Sequence, residues 1–518
     1  MVHDYSRRRF IAGLGVLGAG AFSACLNNEP TVLAKLDQGV LHGTIRNGLH
    51  IYKGVPYAKP PVGAKRFLPP EQASPWQGVR DARNYAPAPV QPSVLSFIPD
   101  RLFLGAPTSE DCLYLNIWQP KTNGPHPVVV WIHGGGNIAG AASQIVDGSL
   151  FAENGIVCVT VGYRLGAFGF LELGNALGDS YRESSANGLK DQIAALKWIQ
   201  HNIAIFSGDP DRVTVFGASA GGKNIVSLLA APQAKGLFAS AIVQSGGQTI
   251  HDMESAEALT RQFSQCLKDL GADPAKILSL PAGTLNKAQT KLLNQYPRPF
   301  PFRTVVGTSV TPIEPLAGLV AGASTCRLLI GTSRDEAITF IGEEAGAAPI
   351  SAKHLSNINV DTANTILKGY ATLFPELSLY ERKIRFLTAE EYFIPSLRIA
   401  NALRKHSDVW MYQFAQEATA GPSEGWVAHG SDAPYIWNDF DNFLLNLTYG
   451  KVPESARGLA DDIFSRWCAF IKGGAPNSND GVEWPKFDGG KILKFENNRS
   501  TVFKLNSREI ALWENISL

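Results

Sequence analysis

The chain lacks a charge imbalance. Its 518 residues carry 47 Lys and Arg against 46 Asp and Glu, a formal net charge of +1, so nothing in the electrostatics favours nucleic acid and none is expected as a partner. A neutral or apolar ligand suits that balance. The chain also lacks long runs of like charge, low-complexity tracts and any repeat period, which argues against a solenoid or a disordered arm. Cysteines are few: six, one at position 25 and the others widely scattered. Buried free thiols are therefore a plainer account of them than a disulfide framework. The length exceeds that at which one core usually stops growing, so one large domain with insertions or two domains both fit.

No good membrane span stands at the N-terminus. Ser6-Arg7-Arg8-Arg9-Phe10-Ile11 precedes an uncharged stretch from Ala12 to Ala24 that is too short and too rich in glycine to cross a bilayer. Residues 1–25 instead resemble a twin-arginine export signal, an address carried by proteins exported already folded. Phe22-Ser23-Ala24-Cys25 also resembles a lipoprotein cleavage box, although Phe is uncommon at its first position. Cleavage there would leave a lipidated Cys25 tethered to a membrane. Cleavage at Ala19-Gly20-Ala21 would leave a soluble protein. Either way the expected location is exported, periplasmic or in the cell envelope.

What is present is organised around Phe216-Gly217-Ala218-Ser219-Ala220-Gly221-Gly222. An apolar β-branched run, Val213 to Val215, precedes it, and a helix-like apolar run from Ile225 to Ala230 follows. A G-x-S-x-G in that context is a nucleophile elbow, a sharp strand-to-helix turn that lifts a serine hydroxyl above a sheet. A side chain at Gly217 or Gly221 would clash in it. Upstream, the buried-strand run Val128 to Ile132 ends in His133-Gly134-Gly135-Gly136. Amides in such a loop can face the negative oxygen that acyl transfer builds, and this is where an α/β-hydrolase supplies half of its oxyanion hole. Between and after these motifs, strand and helix patterns alternate: strands at Ile156–Val161 and Ala239–Gly246, and helical spacing from Gly188 to Phe206. A mainly parallel, doubly wound sheet follows. Before them, Thr31 to Pro70 reads as a small antiparallel meander, and Glu110 to Trp118 as a strand with acids at its head.

These motifs, with the Glu110-to-Asn116 stretch, Tyr163-Arg164-Leu165-Gly166 and Asn187-Gly188-Leu189-Lys190-Asp191-Gln192, resemble the type B carboxylesterase family over about Gly39 to Trp484. The resemblance implies an α/β-hydrolase fold with a large mainly parallel central sheet, helices on both faces and helical insertions over the active site. It also implies a Ser-Glu-His triad, hydrolysis of carboxylic esters, a small-molecule ester as partner, and no metal, cofactor or protein partner. Residues 31–518 are then one domain, with insertions at about 250–325 and 338–405 that shape the acyl and alcohol pockets. Within them, Tyr296 to Phe302 reads either as gorge wall or as a rigid surface loop.

In triad order the acid and the histidine follow Ser219. Arg327 to Ile330 is a short strand that leads to Asp335-Glu336. Spacing does not choose between these two carboxylates; the family pattern selects Glu336 and leaves Asp335 as a cap or loop anchor, although Ala337 stands where the family has glycine. Four histidines follow the serine. His429 lies in the glycine-flanked loop Gly425 to Asp432 after the strand Val409–Phe414 and matches the family pattern, whereas His251, His354 and His406 read as surface residues. The expected oxyanion donors are the N–H groups of Gly135, Gly136 and Ala220. An amidase or thioesterase would use the same residues, and a few relatives of this fold are binding modules without catalysis.

Three absences qualify the resemblance. Ala218 replaces the glutamate most relatives carry before the nucleophile. No tryptophan occurs between Gln91 and Ser109, and no cysteine between Asn84 and Gln91. The first two remove cation-binding features, so neutral esters are expected to be preferred and choline esters to be poor. The third leaves Cys112 as a free thiol.

Overall fold

In the strand His126–Ile132 every residue after the first is buried, and its side chains divide between two cores. Val128, Val130 and Ile132 enter one hydrophobic cluster, and Val129 and Trp131 enter the other, as the period-two alternation of a strand covered on both faces requires. The computed structural model describes residues 30–518 apart from 94–103, 105, 144–145, 343–347, 421–422, 443–444, 447–450 and 479–480. The export signal expected at 1–25, Cys25 included, lies outside the described residues.

Thirteen strands form one sheet: β1 (Thr31–Leu36), β2 (Gly39–Arg46), β3 (Leu49–Pro56), β4 (Val79–Asp81), β5 (Tyr114–Gln119), β6 (His126–Ile132), β7 (Val157–Val161), β8 (Gly208–Ala218), β9 (Ser240–Gln244), β10 (Arg327–Ser333), β11 (Val409–Phe414), β12 (Lys491–Glu496) and β13 (Arg499–Lys504). Their order is β1-β2-β3-β5-β7-β6-β8-β9-β10-β11-β12-β13, with β4 beside β2. From β7 to β12 all neighbours run parallel. The N-terminal meander β1–β3 and the last pair β12–β13 are antiparallel. The acids at 110–111 precede β5 rather than heading it: Glu110 forms a bidentate pair with Arg66, with Arg66 Nε 2.7 Å from Oε2.

Helices cover both faces. On one side α1 (Asn187–Asn202) and α2 (Ala220–Ala230) bury Leu189, Ile193, Leu196, Ile225 and Val226 in the larger cluster. The first insertion supplies α3 (Met253–Asp269), capped by the Asp252 carboxylate on Ser255 N at 2.8 Å, and α4 (Ala282–Gln295). The second supplies α5 (Val360–Leu373), α6 (Leu379–Thr388), started by a Ser378/Glu381 capping box, and α7 (Ile394–Leu403). A π-helical turn, Ala389–Phe393, joins α6 to α7. On the opposite face α8 (Arg457–Ile471) packs Leu459, Ile463 and Trp467 into the second cluster. Among the described residues no helix is long and apolar enough to cross a membrane. The cysteines described, Cys112 among them, are unpaired, and all but half-buried Cys326 are buried.

Candidate active site

β8 lies at the centre of the sheet between β6 and β9, with Gly217 opposite Ile132. At its end Ser219 takes φ 56° and ψ −124° and immediately precedes α2. A non-glycine residue held in such a conformation costs about 1–3 kcal/mol and is kept only where its surroundings enforce it. Here they do. A Cβ on Gly217 would lie 2.8 Å from Ile132 O, and one on Gly221 would lie 2.1 Å from the same oxygen. The Ser219 N–H donates to Gln244 O of β9 at 2.9 Å.

The His133–Gly136 loop leaves β6 alongside. The Tyr163 hydroxyl donates to His133 O at 2.8 Å, and the two rings stack at 4.4 Å. His133 Nδ1 donates to Gly134 O at 3.0 Å, while burial pushes its pKa down to about 4, so the ring is neutral. Gly135 (φ 109°) receives Ile138 N and Ala139 N on its carbonyl, and a Cβ there would strike Ala139 O. Asn224 of α2 ties the loop down by donating to Asn137 Oδ1 at 3.0 Å. Among the described residues no protein acceptor takes the N–H of Gly135 or Gly136. The Ala220 amide, first of α2, has no intrahelical or capping partner either. Loop and elbow thus offer three unspent donors.

Glu336 and His429 meet although 93 residues apart: His429 Nδ1 is in a short hydrogen bond with Glu336 Oε2. Glu336 is fully buried, and its other oxygen accepts from Ser333 N at 2.7 Å. With Nδ1 given to the carboxylate, Nε2 is the basic nitrogen, the tautomer a general base needs. His429 N donates to Thr339 Oγ1 at 2.9 Å, and the ring packs against Tyr392 at 4.9 Å and Phe340 at 5.4 Å. Asp335 serves as a loop anchor, bonded to Val427. Asp432, buried, accepts from Tyr412 Oη at 2.7 Å and Gln244 Nε2 at 2.9 Å, and burial pushes its carboxyl up. Of the other histidines, His406 is exposed and His354 half-buried. His251 differs from expectation: it is buried, with Nε2 donating to Pro301 O at 2.9 Å. The first insertion closes over it, which local polarity does not reveal.

A cleft opens at Ser219, lined also by Gly136, Ala220, Lys223, Phe300 and Arg303. Phe300 and Phe302 line it, so the end of the Tyr296–Phe302 stretch is wall. Phe300 packs on Phe340 at 5.6 Å, which in turn meets His429. Sequence patterns alone miss Lys223, Arg303, Tyr392 and Phe340. Only Lys223 carries a signal, one helical turn beyond the elbow serine. Among the described residues no group of three or more His, Cys, Asp or Glu could hold a metal.

The profile of the carboxylesterase family matches residues 28–513. The chain belongs to that family. Para-nitrobenzyl esterase of Bacillus subtilis (strain 168) is 37% identical over 461 residues, 87% of this chain and 91% of that protein. Pyrethroid hydrolase Ces2a of Mus musculus is 31% identical, over 90% and 87% of the two chains. A solved PNB esterase superposes with a TM-score of 0.79 at 33% identity, covering 93% of this chain and 99% of its own. A carboxylesterase of Geobacillus stearothermophilus superposes with a TM-score of 0.78 at 31% identity, covering 93% and 100%. The α/β-hydrolase fold expected of this carboxylesterase is therefore the one found. It is a carboxylic ester hydrolase of the serine type, acting on a small-molecule ester.

Proposed function

We propose that this carboxylesterase hydrolyses neutral carboxylic esters through an acyl-serine intermediate. Ser219 attacks the ester carbonyl while His429 Nε2 takes its proton, and the N–H groups of Gly135, Gly136 and Ala220 hold the oxyanion. Glu336 fixes the imidazole tautomer and stabilises its charged form. His429 then gives the proton to the departing alcohol, and water attacks the acyl-enzyme by the same route. The observation that carries this reading is the hydrogen bond between His429 and the buried Glu336, on a rim that also presents a strained serine and three unspent amides.

Discrimination against cationic esters follows from Ala218 in place of an acid and from the cations Lys223 and Arg303 in the cleft. Hydrolysis of p-nitrophenyl acetate, butyrate and octanoate beside Ser219→Ala tests the whole. Activity lost in the variant supports it, and equal inertness of both proteins sinks it. Acetylcholine should be turned over more slowly than its uncharged analogue 3,3-dimethylbutyl acetate.

We read residues 31–518 as one domain, because strands from both ends of that segment share a sheet. Residues 1–25 we read as an export signal, on the strength of Arg7-Arg8-Arg9 and the apolar stretch after them. Mass spectrometry of the mature N-terminus tests this, distinguishing a lipidated Cys25 from cleavage after Ala21.

A further inference from the structure

The cleft beside Ser219 holds two cations that ester hydrolysis as described does not use. Lys223 follows the nucleophile by one turn of α2, with its N–H on Ser219 O at 2.9 Å, and its ammonium stands 5.4 Å from the Phe300 ring and 5.3 Å from that of Tyr392. Arg303 comes from the first insertion. Both line the cleft, and neither is a surface charge: the Lys223 side chain is 12% exposed and Arg303 5%.

Their partners differ. Lys223 forms a short ion pair with Glu391 of the π-helical turn. Arg303 has no carboxylate within ion-pair distance among the described residues. Its Nε donates to Phe300 O at 2.9 Å, Nη1 to Ser356 O at 2.8 Å and Nη2 to Pro299 O at 2.8 Å. Three of five N–H groups are thus spent on neutral carbonyls and two are left. Of the two carboxyls whose charge reaches Arg303, Glu391 is paired with Lys223 and Glu390 is turned to the amides of Ser356, Asn357 and Ile358 at 2.5–3.2 Å. The charges of Glu391 and Glu390 act on the Arg303 guanidinium without pairing with it directly, and an anion that meets its two remaining N–H groups adds the hydrogen bonds those carboxylates do not supply.

Ser219 lines the cleft together with Gly136 and Ala220, whose amides face the carbonyl oxygen, so the acyl group that stays on the serine after the alcohol has left lies against this wall. The cleft therefore receives the acid component.

We propose that this cleft is an acyl pocket for half-esters of short dicarboxylic acids, with Arg303 and Lys223 binding the free carboxylate. This rests on the serine-esterase reading and confines its neutral preference to the alcohol side, while the acyl side favours an anionic end. Uncharged acyl chains lie against Phe300 and Phe302, and a terminal carboxylate adds charge-assisted hydrogen bonds. Water is the only co-reactant. The ester C–O bond breaks as Ser219 is acylated, the alcohol leaves with the proton from His429, and hydrolysis of the acyl-serine releases the dicarboxylate.

Monobenzyl glutarate and benzyl valerate are near-isosteres that differ by a terminal carboxylate against a methyl group. With the wild-type chain at neutral pH, kcat/KM should favour the glutarate half-ester by about tenfold or more. In Arg303→Gln that ratio should fall to unity or below. A ratio within one preparation is insensitive to partial loss of fold. If Arg303→Gln does not fold, Lys223→Met combined with Glu391→Gln removes the second cation without stranding its partner and should also lower the ratio. A wild type that prefers benzyl valerate, or a ratio unmoved in the variants, overturns the proposal and leaves Arg303 as a clamp on the Pro299–Arg303 loop. A wild type inert on benzyl valerate and on p-nitrophenyl butyrate defeats the esterase reading instead. Calorimetry of monobenzyl glutarate with Ser219→Ala then decides the pocket separately, with binding lost on adding Arg303→Gln as the expected result and no binding as the overturning one.

Discussion

Asp335 and Val427 hold one another by two hydrogen bonds: the Asp335 N–H donates to Val427 O, and the Val427 N–H donates to Asp335 Oδ2, both at 3.0 Å. Asp335 directly precedes Glu336, and Val427 stands two residues before His429. The pair therefore fixes the distance between the turn that carries the acid and the loop that carries the histidine. In Asp335→Ala the buried Val427 N–H loses its acceptor, at a cost of about 1–3 kcal/mol. We expect kcat on p-nitrophenyl butyrate to fall roughly tenfold or more with KM little changed, since small misplacements of a catalytic group are expensive. Asp335→Asn keeps an acceptor and should recover much of the loss. A kcat equal to wild type in Asp335→Ala would show that the pair does not position the histidine.

Glu336→Gln tests the neighbouring contact. The amide nearly preserves shape, but its NH2 cannot replace an oxygen that accepts from His429 Nδ1 without reversing the tautomer. Turnover should fall on the order of a thousandfold or more, while thermal stability changes far less. Near-normal turnover would move the orienting role away from Glu336.

Two glycines separate close approach from mere flexibility. In Gly221→Ala the new methyl lands 2.1 Å from Ile132 O and 2.8 Å from His133 O, both backbone atoms that cannot swing away. Destabilisation of roughly 1–3 kcal/mol or more, or failure to fold, is expected. Gly283, in the first turn of α4, has nothing within 4 Å of the same position, so Gly283→Ala should stabilise by about 0.5–1 kcal/mol. Denaturant titration of both variants checks the pair, and equal effects would discredit the steric account.

The parts of the site legible in the sequence are those fixed by backbone needs within a few residues. Gly217 and Gly221 are required by contact with β6, and the run from β6 into three glycines marks the loop that leaves the sheet. His429 was legible because it stands in a glycine-flanked loop after β11. Spacing left Asp335 and Glu336 undecided, because the choice depends on which carboxylate meets a loop more than ninety residues away. His251 reads as a surface residue for the same reason, since what covers it is the distant segment that carries Pro301 and Arg303. Lys223 with Glu391, Arg303, Phe340 and Tyr392 depend on how two insertions pack together, and no local period records that. The recognition motifs are therefore local, whereas the residues that shape substrate choice are products of tertiary packing.

His133 and His251 make the fold sensitive to acid. Burial pushes both pKa values down to about 4, with the charge of Arg303 adding to the effect at His251. An unfolded chain binds a proton at each near pH 6.5, whereas the folded chain does not until about 4. Stability is therefore full above about 6.5 and falls as pH drops through that window, by up to roughly 3 kcal/mol per histidine at its lower end. Glu390 acts in the opposite sense. Burial pushes its carboxyl up to about 7, with the Glu391 charge adding to it, so the folded chain retains a proton that the unfolded chain has lost. That contribution shrinks as pH rises from about 4.5 to 7 and offsets part of the histidine effect. His251→Gln removes one titrating group and keeps a donor for Pro301 O. Its Tm at neutral pH should lie at or slightly below that of wild type, and the fall in Tm on acidification toward pH 4.5 should be clearly shallower. If the two Tm curves stay parallel across the window, His251 is not a source of the acid sensitivity, and the burden passes to His133 beneath the glycine loop.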